Sequence, residues 1–319
     1  MGLAPSAEAL CCVPTTLSAI CLNPKGLAAC QESNVLAFLV DVFTSKKYLK
    51  SVAGDCPGIL GSSMDELMRH VPNLKGSAIK VALNICERVL QLGSLESKSD
   101  AACQMVTDDA VPAASETVNY DGQTILDMMN NCLRFLEGMI AQRDKAQAFV
   151  EEGGLRALIS MFTMPKLPAP FQVLPAANVL GAIVKTIASN NFDTVWSLME
   201  EYLERQLEHS LELLKSLFES DDLESLPRAK FEQSMSVSEG YIVLVGYFIR
   251  PSNNIEFTNK ISKKPLDKIL TLAGKLHSLS ILAIASMKSM EDLQPIKPQG
   301  APEEAMKTGK SGTDTEGIK

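Results

Sequence analysis

The sequence predicts an all-α protein, a solenoid of stacked helices. The first reason is an internal repeat: residues 17–44 align without a gap with residues 136–163, which lie 119 positions later, and seven of the 28 aligned pairs are identical. Unrelated segments of average composition would share roughly two. The identical pairs are Leu17/Leu136, Ala29/Ala148, Glu32/Glu151, Leu36/Leu155, Leu39/Leu158, Phe43/Phe162 and Thr44/Thr163. Repeated helical units that bury apolar faces on their neighbours are typical of solenoids.

Composition gives the second reason. Apolar residues make up 46% of the 319 residues, but aromatic residues only 5%, and abundant Leu, Ala and Met suit packed helices better than sheets. The length allows one extended domain or two compact ones. The longest apolar run, residues 241–249, is about half the length of a membrane span. We therefore expect a soluble protein without a membrane partner.

The N-terminus and the cysteines favour a cytoplasmic or nuclear location. Residues 1–22 lack the basic start of a secretory signal. Gly2 fits the myristoylation pattern, but chance matches to so short a pattern are common, which favours an unmodified N-terminus. Without a secretory signal or a CxxC pair, the cysteines are expected to be reduced and to bind no zinc. These eight residues are Cys11, Cys12, Cys21, Cys30, Cys56, Cys86, Cys103 and Cys132.

The first helical unit is predicted over residues 13–93, after an N-terminal segment of residues 1–12. Pro14 suits the first turn of a short helix that ends near Leu22. Asn34 is a candidate N-cap for a helix that extends to about residue 45.

The rest of this unit begins with a loop over residues 50–61. The sequence Ser63-Met64-Asp65-Glu66 has the form of a capping box and predicts a helix from there to His70. Apolar residues at helical spacing predict a closing helix over residues 79–92, ended by Gly93. Residues 94–118 are polar and aperiodic, and we expect a flexible insertion.

The second unit, with the helices that follow it, is predicted over residues 119–290. Asp121 is the expected cap of its first helix, whose apolar stripe favours a core role for its methionines over an adaptable binding groove. The stripe comprises Ile125, Met128, Met129, Cys132, Phe135, Leu136 and Met139. Gly153 and Gly154 predict a left-handed turn between two helices. No strand precedes this pair and no GK[ST] follows it, which argues against phosphate binding.

A rigid connector, residues 165–170, leads to a closing helix over residues 179–187, interpreted as the copy of the helix at 79–92. A long helix is predicted to follow, with Asp193 as its N-cap. Its expected buried stripe is Val195, Met199, Leu203, Leu207, Leu211, Leu214 and Phe218. Residues 193–224 carry a net charge of −8. A solvated outer face is the favoured interpretation, and a docking surface for a basic partner is the alternative.

The C-terminal part is also predicted to be helical. Ser236 to Glu239 form a second capping-box match, and the apolar run at 241–249 is read as a helix. Residues 250–275 carry a net charge of +4, which fits a nucleic-acid patch or charge balance against the acidic helix; the lack of interleaved aromatics disfavours nucleic acid. Pro265 suits another helix start. Residues 291–319 are predicted to be a disordered tail.

Residues with the spacing of a catalytic, cofactor-binding or metal site are not found. Of the three histidines, His70 is expected at a helix end, His209 on a charged face and His277 at an interface. Trp196 is expected in the core. The carboxylate pairs fit helix ends or surface charge better than acid–base chemistry; they are Asp65-Glu66, Glu151-Glu152 and Asp221-Asp222. We therefore predict no catalysis by this chain and no cofactor.

Several motifs nevertheless resemble a known family. They are Val13-Pro14-Thr15-Thr16-Leu17-Ser18-Ala19, Cys21-Leu22-Asn23, Gly26-Leu27, Met64-Asp65-Glu66-Leu67-Met68-Arg69-His70, Pro72, Leu74-Lys75, Phe149-Val150, Gly154-Leu155, Pro165, Leu167-Pro168 and residues 241–250. In this order, over roughly residues 10–290, the sequence resembles the N-terminal armadillo-like region of the giant HECT-type E3 ubiquitin-protein ligases, the HUWE/Tom/UPL group.

The resemblance implies an armadillo-like α-solenoid that positions protein substrates for ubiquitination. It departs from the family in two respects: the insertion at 94–118 is mild rather than long and strongly acidic, and no cysteine after Cys132 is available as a ubiquitin acceptor. The chain is thus expected to be a non-catalytic scaffold segment whose partners are substrates or ligase subunits. The alternative is a stand-alone armadillo-type adaptor unrelated to ubiquitin.

Overall fold

The computed structural model describes residues 5–94, 120–168, 171, 174–219, 226–250, 255–263 and 266–291. Every regular element in these ranges is helical, which confirms the predicted all-α fold. The α-helices are α1 (Ala7–Cys21), α2 (Pro24–Glu32), α3 (Phe38–Thr44), α4 (Lys46–Leu49), α5 (Cys56–His70), α6 (Lys75–Gly93), α7 (Gly122–Met139), α8 (Arg143–Glu151), α9 (Gly154–Met161), α10 (Pro175–Asn190), α11 (Phe192–Glu219), α12 (Leu226–Ile249), α13 (Ile255–Lys263) and α14 (Leu266–Glu291). A 3-10 helix, Pro72–Leu74, joins α5 to α6.

The chain divides into two compact units. Residues 1–279 form the first, which holds the hydrophobic core, and residues 280–319 form the second. The predicted insertion at 94–118 and the predicted tail at 291–319 lie almost entirely outside the described residues.

The N-terminal helix is longer than the sequence suggested. It begins at Ala7, where the Ser6 side chain accepts a hydrogen bond from the backbone N–H of Ala9 at 3.4 Å. Pro14 is therefore a buried residue inside the helix and does not lie in its first turn. A proline inside a helix removes one backbone hydrogen bond, and the Ser6 cap together with the burial of Pro14 and Leu10 offsets that loss.

Both capping-box predictions are wrong. Helix α5 begins at Cys56, so Ser63 lies inside the helix and part of the predicted loop at 50–61 is helical. Likewise, Ser236 lies within α12. The S-x-x-E spacing also occurs within helices, because an interior serine can bond to the carbonyl one turn earlier; Ser238 does this to the Ser234 oxygen at 2.8 Å.

Several other boundaries agree with the sequence. Helix α6 ends at Gly93, and Asp121 caps α7 by accepting a hydrogen bond from the Thr124 backbone N–H at 3.0 Å. The predicted apolar stripe of α7 is buried, so its methionines belong to the core. Helix α14 begins at Leu266, directly after Pro265. Helix α11, however, begins one residue before Asp193, which lies in its first turn.

The helices of the first unit pack in two rows. In one row α1 contacts α5, α5 contacts α7, α7 contacts α10, and α10 contacts α12. In the other, α3 contacts α6, α6 contacts α9, and α9 contacts α11. Contacts of α6 with α7, of α10 with α11 and of α11 with α12 join the rows. Stacking each helix on its neighbours in this way buries a continuous core, as in a solenoid.

The structure preserves the register of the 119-residue repeat. Helices α2 and α8 have nine residues each and occupy aligned positions. The residue two places beyond each helix has a left-handed backbone conformation, with φ of 46° at Asn34 and 93° at the aligned Gly153. The N–H of Asn34 bonds to the Gln31 oxygen and that of Val35 to the Cys30 oxygen, the two bonds of a Schellman motif. Asn34 thus ends α2 and is not the N-cap of α3.

The same offset pairs the later helices. Adding 119 to residues 56–70 of α5 gives residues 175–189, which lie in α10. Adding 119 to residues 75–93 of α6 gives residues 194–212, which lie in α11. The proposed equivalence of the helices at 79–92 and 179–187 is therefore wrong by one element. The sequence places the start of α5 at Ser63 instead of Cys56, so that residues 79–92 are paired with the wrong helix.

We expect opposite effects from substitutions at the two left-handed residues. Asn34→Gly should raise the free energy of unfolding by about 0.5 kcal/mol, because glycine tolerates positive φ, whereas Gly153→Ala should lower it by about 1 kcal/mol. A Cβ at Gly153 would meet nothing within 4 Å, so this loss would be purely conformational. Urea unfolding followed by circular dichroism measures both; a gain at both positions would contradict the shared left-handed geometry.

Candidate functional site

The described residues contain no group of three or more His, Cys, Asp or Glu side chains able to hold a metal ion. His70 ends α5 as predicted, with its Nε2 3.6 Å from the Glu66 carboxylate, and His209 is exposed. His277, predicted at an interface, is exposed as well. Among the described helices, none is both long and apolar enough to cross a membrane.

A groove lies between α9 and α11 and is called the α9–α11 groove. Together with the open solvent at its mouth, it comprises about 600 Å³. Its lining residues are Val150, Gly153, Leu155, Arg156, Thr194, Ser197, Leu198 and Glu201. The left-handed turn at Gly153 makes one edge, and the first three turns of α11 make the other.

The lining of the α9–α11 groove is amphipathic. Leu155 is buried in its floor and Leu198 is half-buried, whereas Ser197 is exposed. Arg156 and Glu201 add one charge of each sign, both exposed. Apolar floors with polar rims are typical of protein-binding surfaces, so this groove suits a peptide segment better than a small charged metabolite.

The acidic side of α11 adjoins this groove through Glu201. Glu201 forms an ion pair with Arg205 one turn later, and Glu204 forms one with Lys268 of α14. The Glu204 carboxylate raises the pKa of Lys268 above its usual value. At the Glu204–Lys268 pair, a basic residue of the 250–275 segment balances a charge of the acidic helix. Charge balance was one of the two interpretations of this segment, and a nucleic-acid patch was the other.

The buried stripe of α11 is shorter than predicted. It is buried from Val195 to Leu207, but Leu211 is 36% exposed, and the side chains of Leu214 and Phe218 lie outside the described part. At this level Ser210 faces α12 instead, with its hydroxyl 2.8 Å from that of buried Ser234. Apolar residues with a period of 3.6 lie on one face of a helix, but the period does not show how far along the helix a neighbouring helix covers that face.

A second, smaller groove of about 300 Å³ lies between α7 and α10. Its apolar lining includes Ile140, Ile183 and Ile187, with Glu137 at the edge. It is a gap between successive helices of one row, whereas the α9–α11 groove lies between helices of the other.

A buried ion pair joins the two halves of the repeat. Lys145 of α8 is only 2% exposed, and its ammonium group contacts the Asp65 carboxylate of α5. The same ammonium lies 3.2 Å from Gln142 Oε1, and Gln142 Nε2 lies 3.3 Å from Asp65 Oδ2. The interpretation of the pair Asp65-Glu66 as surface charge therefore holds for Glu66, whose side chain is 61% exposed, but not for Asp65, whose side chain is 14% exposed. The signal missed was Lys145 itself, which lies one turn before buried Phe149 on the apolar face of α8.

The remaining candidates from the sequence are structural or exposed. Trp196 is buried, stacks on Phe192 and donates a hydrogen bond from Nε1 to the Glu200 carboxylate at 3.0 Å. Glu151 and Glu152 are exposed at the end of α8, as expected. Asp221, Asp222 and Cys103 lie outside the described residues; the other seven cysteines are free thiols.

These features define a class: a protein of stacked α-helices whose described part carries two surface grooves. The family model described as "Domain of Unknown Function (DUF913)" matches residues 1–119 and 97–170. Together the matches cover residues 1–170, which is more than half of the 319 residues. The chain belongs to this DUF913 family.

Similar full-length proteins carry the name E3 ubiquitin-protein ligase. UPL1 of Arabidopsis thaliana is 29% identical over 266 residues, 75% of this chain, and ptr1 of Schizosaccharomyces pombe is 28% identical over 167 residues, 52% of this chain. HUWE1 of Mus musculus is 25% identical over 233 residues, 56% of this chain. The predicted resemblance to this group of ligases is confirmed. The chain spans 7% of the length of UPL1 and 5% of the lengths of ptr1 and HUWE1.

Proposed function

We propose that this chain is a non-catalytic scaffold segment of an E3 ubiquitin-protein ligase and that it positions protein substrates for ubiquitination. The observation that carries the proposal is the similarity over 75% of the chain to a protein named as such a ligase. In this proposal, ubiquitin transfer takes place outside the chain, and the chain acts in the cytoplasm or nucleus.

The geometry supports a binding role for the α9–α11 groove. The groove is lined by residues of α8, α9 and α11 and by the turn at Gly153, all of which belong to the unit that holds the hydrophobic core, so its shape is preformed. Leu155 anchors its floor with 2% exposure, while Ser197 and Thr194 remain exposed on α11. A preformed groove with an apolar floor lowers the entropy cost of binding a segment of another protein.

The test uses a variant that fills the groove. Ser197→Trp places a large side chain into the space, and because Ser197 is exposed, the fold should tolerate it. The matched control is Ser278→Trp, at an exposed position of α14 away from the groove lining. A photo-crosslinking amino acid at position 197 identifies the proteins that occupy the groove in cells.

The decisive measurement is the ubiquitination of those crosslinked proteins when the chain is expressed in excess. As a competitor for substrates, the chain should lower their ubiquitination; Ser197→Trp should abolish this effect and Ser278→Trp should preserve it. Unchanged ubiquitination of the crosslinked proteins would refute substrate positioning and favour the adaptor unrelated to ubiquitin. Equal effects of both tryptophan variants would refute the groove as the binding surface.

A further inference from the structure

Three pairs of cysteines interact across helix interfaces in the described residues. In one of them, burial and the contact with Cys30 of α2 raise the pKa of Cys21 in α1. The sulfur atoms of the other two pairs lie within 4 Å of each other. The sulfur atoms of Cys11 in α1 and Cys56 in α5 are 3.6 Å apart, and those of Cys86 in α6 and Cys132 in α7 are 3.7 Å apart. The interfaces differ in their access to solvent. Cys86 and Cys132 are fully buried, whereas Cys11 is half-buried and its partner Cys56 is 6% exposed.

The geometry of the Cys11–Cys56 pair suits a covalent bond. A disulfide needs sulfur atoms about 2.05 Å apart, so the pair has to close by roughly 1.5 Å, which side-chain rotation and a small helix shift can supply. The chain segments next to these cysteines are already held together, because the Ser51 hydroxyl donates a hydrogen bond to the Pro5 carbonyl oxygen at 2.7 Å. Closure therefore requires only a small shift of α1 against α5.

Access determines which thiol reacts first. Burial, the contact with Cys11 and the nearby Glu8 carboxylate together raise the pKa of Cys56 to about 12, so Cys56 is a poor initial nucleophile. Cys11 is the more accessible thiol of the pair. An oxidant from solvent thus meets Cys11 before it meets Cys56.

We propose that the Cys11–Cys56 pair is a redox modification site, at which a peroxide drives formation of a disulfide that ties α1 to α5. The Cys11 thiolate attacks one oxygen of the peroxide, the O–O bond breaks, and Cys11 becomes a sulfenic acid. The departing hydroxide takes up the proton that the thiol lost and becomes water. The Cys56 sulfur then attacks the Cys11 sulfur, and the S–OH oxygen leaves as water. Overall, two thiols lose two electrons and two protons, and hydrogen peroxide is reduced to two molecules of water.

The disulfide would close a loop that contains α2, α3 and α4, the first part of the repeat. Linking residues this far apart restricts the unfolded chain and stabilises the fold. We expect the melting temperature of the oxidised protein to rise by about 5–10 °C, the order that loop closure predicts for a domain of this size.

The experiment treats the reduced full chain with hydrogen peroxide at neutral pH and maps its peptides without reduction. We expect the intact mass to fall by two hydrogen atoms and one cross-linked peptide pair to contain Cys11 and Cys56. Cys11→Ser should abolish this product, and Cys12→Ser, at the exposed neighbour, should not change it. In Cys56→Ala, dimedone should trap the sulfenic acid on Cys11.

The Cys86–Cys132 pair is an internal control with nearly the same sulfur separation. If access governs the reaction, this pair stays reduced while the first pair oxidises. The proposal is overturned if Cys11 proceeds to sulfinic acid without a cross-link, if the cross-link survives in Cys11→Ser, or if both pairs oxidise at the same rate.

Discussion

Gly61→Ala is expected to lower the free energy of unfolding by about 3 kcal/mol or more. Helices α5 and α7 cross at Gly61 and Gly138. A Cβ on Gly61 would overlap the carbonyl oxygen of Phe135 and lie 3.0 Å from its carbonyl carbon and 3.2 Å from the Met139 nitrogen. Since these are backbone atoms, the helices would have to move apart, and overpacking of this kind costs ~1–3 kcal/mol or more.

The matched control is Gly58→Ala, one turn earlier on the same helix. A Cβ at Gly58 would meet nothing within 4 Å, so the change removes only the backbone freedom of glycine and should raise stability by about 0.5 kcal/mol. Urea unfolding of both variants measures the difference. A loss below ~1 kcal/mol for Gly61→Ala would mean that the close crossing of α5 and α7 is not a feature of the folded protein.

The same glycines explain why the sequence predicts only the second half of α5. Gly58 and Gly61 lower helix propensity, so residues 50–61 read as a loop. The helix forms because a glycine at the crossing lets α5 approach α7, which buries Leu60 and Met64 completely or nearly so. Tertiary packing therefore overrides the local preference. By contrast, the stripe of α7 and the end of α8 at Gly153 were predictable, because apolar period and left-handed glycine are both local signals.

The candidate site was harder to predict from the sequence than the helices. The turn at Gly153 was predicted, but the α9–α11 groove exists only because that turn lies next to Ser197 and Leu198 in the folded chain. No local pattern reports such an approach across the connector and α10. The sequence motifs indicated the family, whereas the groove depends on contacts between α9 and α11 that no local motif encodes.

Lys145→Met should be the other severe substitution, with an expected loss of about 2–3 kcal/mol. The Lys145 side chain is 3% exposed and that of its partner Asp65 is 14% exposed. Without the ammonium group, the carboxylate keeps only Gln142 at 3.3 Å and Arg69 at 4.0 Å. Removing one partner of a buried pair leaves the other charge poorly compensated, at a cost of roughly 3–5 kcal/mol when burial is complete. The remaining exposure of Asp65 reduces that figure.

A second ion pair that involves α8 provides the control. Lys75 of α6 pairs with Asp144 of α8 at 2.7 Å, but the two side chains are 32% and 59% exposed. Solvent screens such a pair, so Lys75→Met should change stability by no more than about 0.5 kcal/mol. Chemical denaturation of the two lysine variants compares the same substitution on two ion pairs that differ mainly in burial.

The double variant Asp65→Leu/Lys145→Met separates two contributions to the free energy of unfolding: the penalty for an unpaired buried carboxylate and the stabilisation that the ion pair itself provides. Replacing both partners by apolar side chains removes the uncompensated carboxylate, and the stability should return to within about 1 kcal/mol of the parent protein. If the double variant is instead as unstable as Lys145→Met alone, the pair itself contributes the energy. The contact between α5 and α8 would then depend on charge, and the two halves of the 119-residue repeat would be held together by more than their shared apolar core.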